Sequence, residues 1–196
     1  SSSGGTPFRI AHQVSTDADG IRGAASGMYM TYGGDAQGSG YEALYQAATG
    51  HGYDQTCDGS FDSSTDILPF ESDSSDAFEG GGGMSYDDSI EGTGPHPGVG
   101  FREGALPVFF FAADNRVRDA DAGDSMPSSS CSPPATFDMA TDAINEIGGK
   151  VLGINVYEYW SSDSTLQGQL NELAEATTSY IDRDGDGAKD DPAALY

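Results

Sequence analysis

The chain has 196 residues, one domain's worth, and its 36% hydrophobic content lies in the globular range. Its 32 acidic residues against 8 basic ones leave a formal charge of −24, which repels phosphate backbones and anionic lipid and so argues against nucleic acid and membrane as partners. The same balance suits divalent cations, basic partners or a salty medium, since the Debye length falls to about 3 Å near 1 M salt.

Residues 8–14 alternate loosely between apolar and polar, from Phe8 to Val14, which predicts a half-buried strand. Capping side chains between Ser15 and Asp19 then predict a helix over 19–32, with Ile21, Ala24, Ala25 and Met28 on one face. After a glycine-rich loop a second helix opens. Its Tyr41, Leu44, Tyr45 and Ala48 fall at the i, i+3, i+4, i+7 spacing of a core-facing stripe.

From 49 to 104 periodicity is lost and Gly, Ser and Asp dominate, with Gly80, Gly81, Gly82 and Gly83 in a row. A stretch of this length reads as an insertion in one domain, either a functional loop or a solvated decoration pinned by Cys57 and a few aromatics. Residues 106–113 are continuously apolar and end at Asp114, the profile of a central strand buried on both faces.

A loop leads to a helix over 137–147, with Phe137, Ala140, Ile144 and Ile147 on one face and Gly148 and Gly149 as its stop. Residues 151–156 read as another buried strand, and Leu166, Leu170 and Leu173 mark a last helix. The order β, α, α, β, α, β, α predicts an α/β fold: a doubly wound, mostly parallel sheet covered by helices on both faces. Ligands of such sheets bind beyond the carboxyl ends of the strands, where Asp114 and the loop holding Asp35 are expected.

Cys57 and Cys131 are the only cysteines, and neither has zinc-ligand spacing. In an oxidising, extracellular setting they join as one disulfide between two loops, and in the cytosol they remain thiols. No apolar stretch reaches the roughly 20 residues that span a bilayer. Residues 1–5 lack the basic and apolar regions of a signal peptide, so a secreted chain is expected to carry that signal upstream.

Asp182, Asp184, Asp186 and Asp190 stand at positions one, three, five and nine of a loop with Gly185 and Gly187. Alternate carboxylates around a sharp turn are what an oxygen cage for Ca²⁺ requires. The loop resembles the calcium repeats of thrombospondin type 3 and dockerin modules, although Ala193 stands where those loops place a final acidic ligand. Structural Ca²⁺ binding is the expectation, and a solvated acidic linker over 181–196 is the alternative.

Little points to catalysis. His12, His51 and His96 have no metal-protease spacing, Ser39 lacks the full Gly-x-Ser-x-Gly elbow, and the Gly80 to Gly83 run carries no lysine for a phosphate. The expectation is that the protein is not an enzyme.

Three stretches together resemble the von Willebrand factor A-type domain of integrin β subunits. Thr6 to Asp17 is similar to the strand and turn before the family's second helix, and Leu106 to Asp114 to a strand whose final aspartate serves a metal site. Between them, Asp35, Gly40, Tyr41, Ala43, Gln46 and Ala47 follow a loop-and-helix pattern of the family. The resemblance covers about residues 6–180. It implies Mg²⁺ or Ca²⁺ at a partial adhesion site, with Asp114 as a ligand and Asp35 at a neighbouring position.

Two departures stand out. The family's Asp-x-Ser-x-Ser motif is absent, and Gly38 and Gln37 replace its metal-site glutamate and the proline before it. The match begins at the family's third strand, so another protein, or a separate N-terminal segment of the same precursor, is expected to complete the sheet beside residues 106–113. The functional expectation is an extracellular or cell-surface adhesion or recognition module that binds another protein. A structural subunit with a degenerate metal site is the runner-up.

Overall fold

Helix signals are realised wherever an apolar stripe is matched by a stop. The computed structural model describes residues 8–28, 37–62, 65–70, 86–125, 131–156, 164–182, 184–192 and 194–195. Helix α1 (Ala18–Gly27) starts at Asp17, whose side chain accepts from the Gly20 amide, and ends where Met28 turns extended, short of the predicted 32. Helix α2 (Gly40–Thr49) buries Tyr41, Leu44 and Ala48. It closes on Gly50 in the left-handed region at φ 64°, whose amide donates to the Gln46 carbonyl. Helix α3 (Phe137–Glu146) is capped by Thr136 and buries Ala140 and Ile144. Helix α4 (Ser164–Ala176) buries Leu166, Leu170 and Leu173, spaced i, i+4, i+7.

The strands β1 (Val108–Ala113) and β2 (Lys150–Asn155) pair in parallel over six positions, Val108 opposite Lys150 and Ala113 opposite Asn155. Helix α3 forms the crossover between them, as a parallel pair requires. A short strand, β5 (Ala194–Leu195), joins the other flank of β2, also in parallel, to give the order β1-β2-β5. A separate two-residue ladder joins β3 (Tyr180–Ile181) to β4 (Asp191–Pro192), antiparallel, at the base of the acidic loop. These three short strands carry too few residues to show a period in the sequence.

One face of the sheet carries the core. Phe109 and Val151 are buried there with Leu44, Ile144, Leu166 and Leu170. Gly153 lets α4 approach closely, since a Cβ at that position would lie 3.1 Å from the Leu170 Cβ. The opposite face, with Val108, Phe110 and Ala112 on β1, is exposed. The expectation that residues 106–113 are buried on both faces is therefore corrected: burial alternates along β1, with Phe109 7% and Phe110 72% exposed. A continuous apolar run states that a strand is apolar on both sides, and it cannot state whether a second helical layer is present. Among the described residues helices cover one face only.

The strand expected over 8–14 is also corrected. The segment is irregular, with bends at residues 11, 12 and 14, and belongs to no sheet. It docks on the insertion instead: the Val14 amide donates to the Val99 carbonyl, and the buried Gln13 side chain bonds both the Asp87 backbone and Thr93 Oγ1. Ile10 and Tyr86 form a small second core there, flanked by the stacked rings of Phe8 and Phe70. The insertion carries no named helix or strand among its described residues. Its first half is organised by Asp66, a buried carboxylate that accepts from the Gln55, Thr56 and Asp62 amides.

Candidate functional sites

At the carboxyl end of β1, Asp114 is exposed, while Asp35 lies outside the described residues. The loop beyond is built around a different carboxylate. Asp124 pairs with the Arg116 guanidinium and also accepts from the Gln37 side chain and the Asp119 amide. Gln169 of α4 clamps both the amide and the carbonyl of Val117 at 2.8 Å, and Gly38 bridges to Val117 in parallel. Asp124 is thus neutralised by a cation of the chain itself. Among the described residues no three ligand-bearing side chains converge at the strand ends, so the groups described there do not make a metal cage. Sequence reading passed over Arg116 and Asp124 because a pair eight residues apart in a loop has no period to betray it.

The acidic loop after β3 does bring ligands together. Ligand oxygens of Asp182, Asp184 and Asp190 all lie within 4.8 Å of one another. Oxygens bound to one Ca²⁺ at about 2.3–2.6 Å can lie up to about 5 Å apart, so the trio fits a single ion. The loop is shaped for this by its own amides. Asp182 accepts from the Gly185 and Gly187 amides at 2.7 and 2.9 Å, with both glycines at positive φ, and the Asp190 amide donates to the Ile181 carbonyl across the base. Asp186 stands outside the trio; its carboxylate accepts from the Ala188 amide at 2.7 Å. All four aspartates are exposed.

Cys57 and Cys131 form a disulfide across 74 residues, Cα atoms 6.0 Å apart, tying the insertion to the segment before α3. The Tyr53 hydroxyl, donating to the Ser132 carbonyl at 2.5 Å, and the Cys131 amide, donating to the Gln55 carbonyl, reinforce the same junction.

Glu42 was not anticipated. It is 2% exposed inside α2, accepting from the Ala135 amide at 2.6 Å and the Gln46 side chain at 2.7 Å. Gln46 in turn grips both backbone groups of Gly52. Burial pushes the Glu42 carboxyl above its ordinary range, opposed by the Ala135 and Gln46 donors. Its enclosure makes it a structural junction between α2, the insertion and α3. The histidines are not gathered either: His51 bonds the Tyr45 hydroxyl at 2.9 Å, and His12 faces the carbonyl of Gln13.

The open sheet face is the largest departure from expectation. Val108 and Phe110 alternate along β1 and are 40% and 72% exposed, and Leu106, two residues before the strand, is 64% exposed. Across the register Phe110 is opposite Leu152 and Ala112 opposite Ile154, which widens the stripe to two strands. At its Lys150 end the face runs into a groove of about 490 Å³ between Leu106, Val108 and Leu152 on one side and Tyr180, Ile181 and Ala188 of the hairpin on the other. The chain matches no protein-family model, no curated protein and no solved structure. No described helix is long and apolar enough to cross a membrane.

Proposed function

We propose that this chain is an extracellular recognition module that works by binding another protein, built as part of a doubly wound, von Willebrand factor A-like domain. The observation that carries this reading is the open flank and face of β1. Parallel sheets are ordinarily buried on both faces, and an apolar strand with a free edge is a template for pairing. In the described residues β1 pairs only with β2 and exposes Val108 and Phe110, with Leu106 exposed just before it. A partner strand added to that edge completes the sheet.

The disulfide supports an oxidising, extracellular setting. The parallel β1-α3-β2 unit supports the A-type likeness. In this reading Ca²⁺ at Asp182, Asp184 and Asp190 stiffens the end of the domain, while Asp114 is left as the one described ligand of a partial adhesion site for Mg²⁺ or Ca²⁺. The runner-up, a structural subunit of an extracellular assembly, is favoured by the Arg116–Asp124 pair, because a guanidinium beside the strand ends weakens any cation site there.

The test uses the intact chain, wild type and Phe110→Asp, as bait for cell-surface and secreted proteins. Hydrogen exchange is then followed over residues 108–113 with each purified interactor. A partner that slows exchange there and is lost on Phe110→Asp supports the reading. Partners that leave 108–113 unchanged, or no partner at all, refute it.

A further inference from the structure

Resting on the recognition reading above, we infer that the open face of the β1–β2 pair is the seat of a cationic amphipathic helix from the partner. Three observations carry this. The first is shape. The face from Leu106 to Ala112 spans six residue steps, roughly 20 Å at about 3.3 Å per step, and is two strands wide. A helix of about 13 residues covers that length at 1.5 Å per residue, and helices are what ordinarily cover the face of a parallel sheet.

The second is chemistry. Val108, Phe110, Ala112, Leu152 and Ile154 offer only apolar side chains, and the polar partner in the register, Lys150 opposite Val108, stands at one end of the face with its amine held by Thr177 and Thr178. The third is charge. Asp114 lies at one end of the face and the exposed Asp182, Asp184, Asp186 and Asp190 at the other. The two lysines of the adjoining groove are engaged within the chain, Lys150 on the Thr177 carbonyl and Thr178 hydroxyl and Lys189 over the Tyr180 ring at 4.1 Å. Both lysines keep their charge in these contacts, so with the acidic loop free of Ca²⁺ its four aspartates outnumber them and the rim presents net negative charge to a newcomer.

A second copy would bring another −24 to the same contact. A segment with a leucine-like stripe flanked by Lys or Arg meets both the apolar floor and the acidic rim.

The test titrates two labelled 18-residue peptides with the same leucine stripe, one with lysines and one with glutamates on the polar face, against the whole chain in chelator, so that the loop aspartates carry no Ca²⁺, by fluorescence anisotropy. The lysine peptide should bind saturably, and Phe110→Ser should weaken it at least tenfold. The exposed position should lower the melting temperature of Phe110→Ser by no more than about 5 °C, leaving the chain folded at the assay temperature, so lost binding is not lost folding. The glutamate peptide should bind at least tenfold more weakly than the lysine peptide.

Any of three results overturns the inference: no binding of the lysine peptide, binding that Phe110→Ser leaves intact and that is merely attraction to an acidic surface, or dimers in sedimentation equilibrium that Phe110→Ser dissolves. If a natural partner still protects residues 108–113 while the lysine peptide fails, the helix inference falls and the recognition reading stands.

Discussion

Replacing Phe109 and Phe110 by alanine, one at a time, separates a sheet covered on one face from a sheet covered on both. Phe109 is 7% exposed and packs against Phe101, ring centroids 5.1 Å apart. A Phe side chain buries on the order of 200 Å², so at about 25 cal/mol/Å² its removal forfeits about 4–5 kcal/mol, within the usual range for a buried Phe→Ala. Phe110, 72% exposed, keeps roughly a quarter of that burial, so its loss costs at most about 1.4 kcal/mol. The gap of about 3 kcal/mol is more than a hundredfold in the folding equilibrium. Urea denaturation of both variants measures it, with an unchanged slope confirming that the same surface is exposed on unfolding. Equal losses at the two positions would show that the Phe110 face is covered in solution, and the proposed docking surface would then not exist.

The acidic loop should couple to Ca²⁺: excess Ca²⁺ should raise the melting temperature above its value in chelator by mass action, and Asp184→Ala should remove most of that difference. Identical melting curves with Ca²⁺ and chelator would leave the loop a solvated linker. Glu42, whose folded pKa is raised by burial above its ordinary 4.5, contributes stability that is fully present below the unfolded pKa and lost as pH rises through the folded one. Glu42→Gln has no such term, so its stability relative to wild type should improve as pH rises above about 4.5, by up to about 1.4 kcal/mol per pH unit; a difference that is flat in pH would refute the assignment.

Much of the architecture was legible in the order of residues. The stripes of α2, α3 and α4 repeat with the helical period, and the stop of α3 at Gly148 is a residue free to adopt positive φ. The parallel pairing of β1 with β2 follows from two apolar runs separated by a helix, and the alternate positions of Asp182 and Asp184 bring those two together, while Asp190 joins them across the base of the hairpin and Asp186 stands apart. Each of these is a local rule, in which the interacting groups lie within a few residues or share one period.

What only the tertiary structure decided are the relations between distant segments. The pairing of Phe8 to Val14 with the insertion rather than with the sheet depends on Gln13 meeting Asp87 and Thr93, over seventy residues away. The burial of Glu42 depends on Ala135 arriving 93 residues later. The openness of one sheet face depends on where helices pack, and the apolar sequence of β1 is the same whether a helix covers Phe110 or water does. Periodicity records which side of an element is apolar; only packing decides what, if anything, covers it.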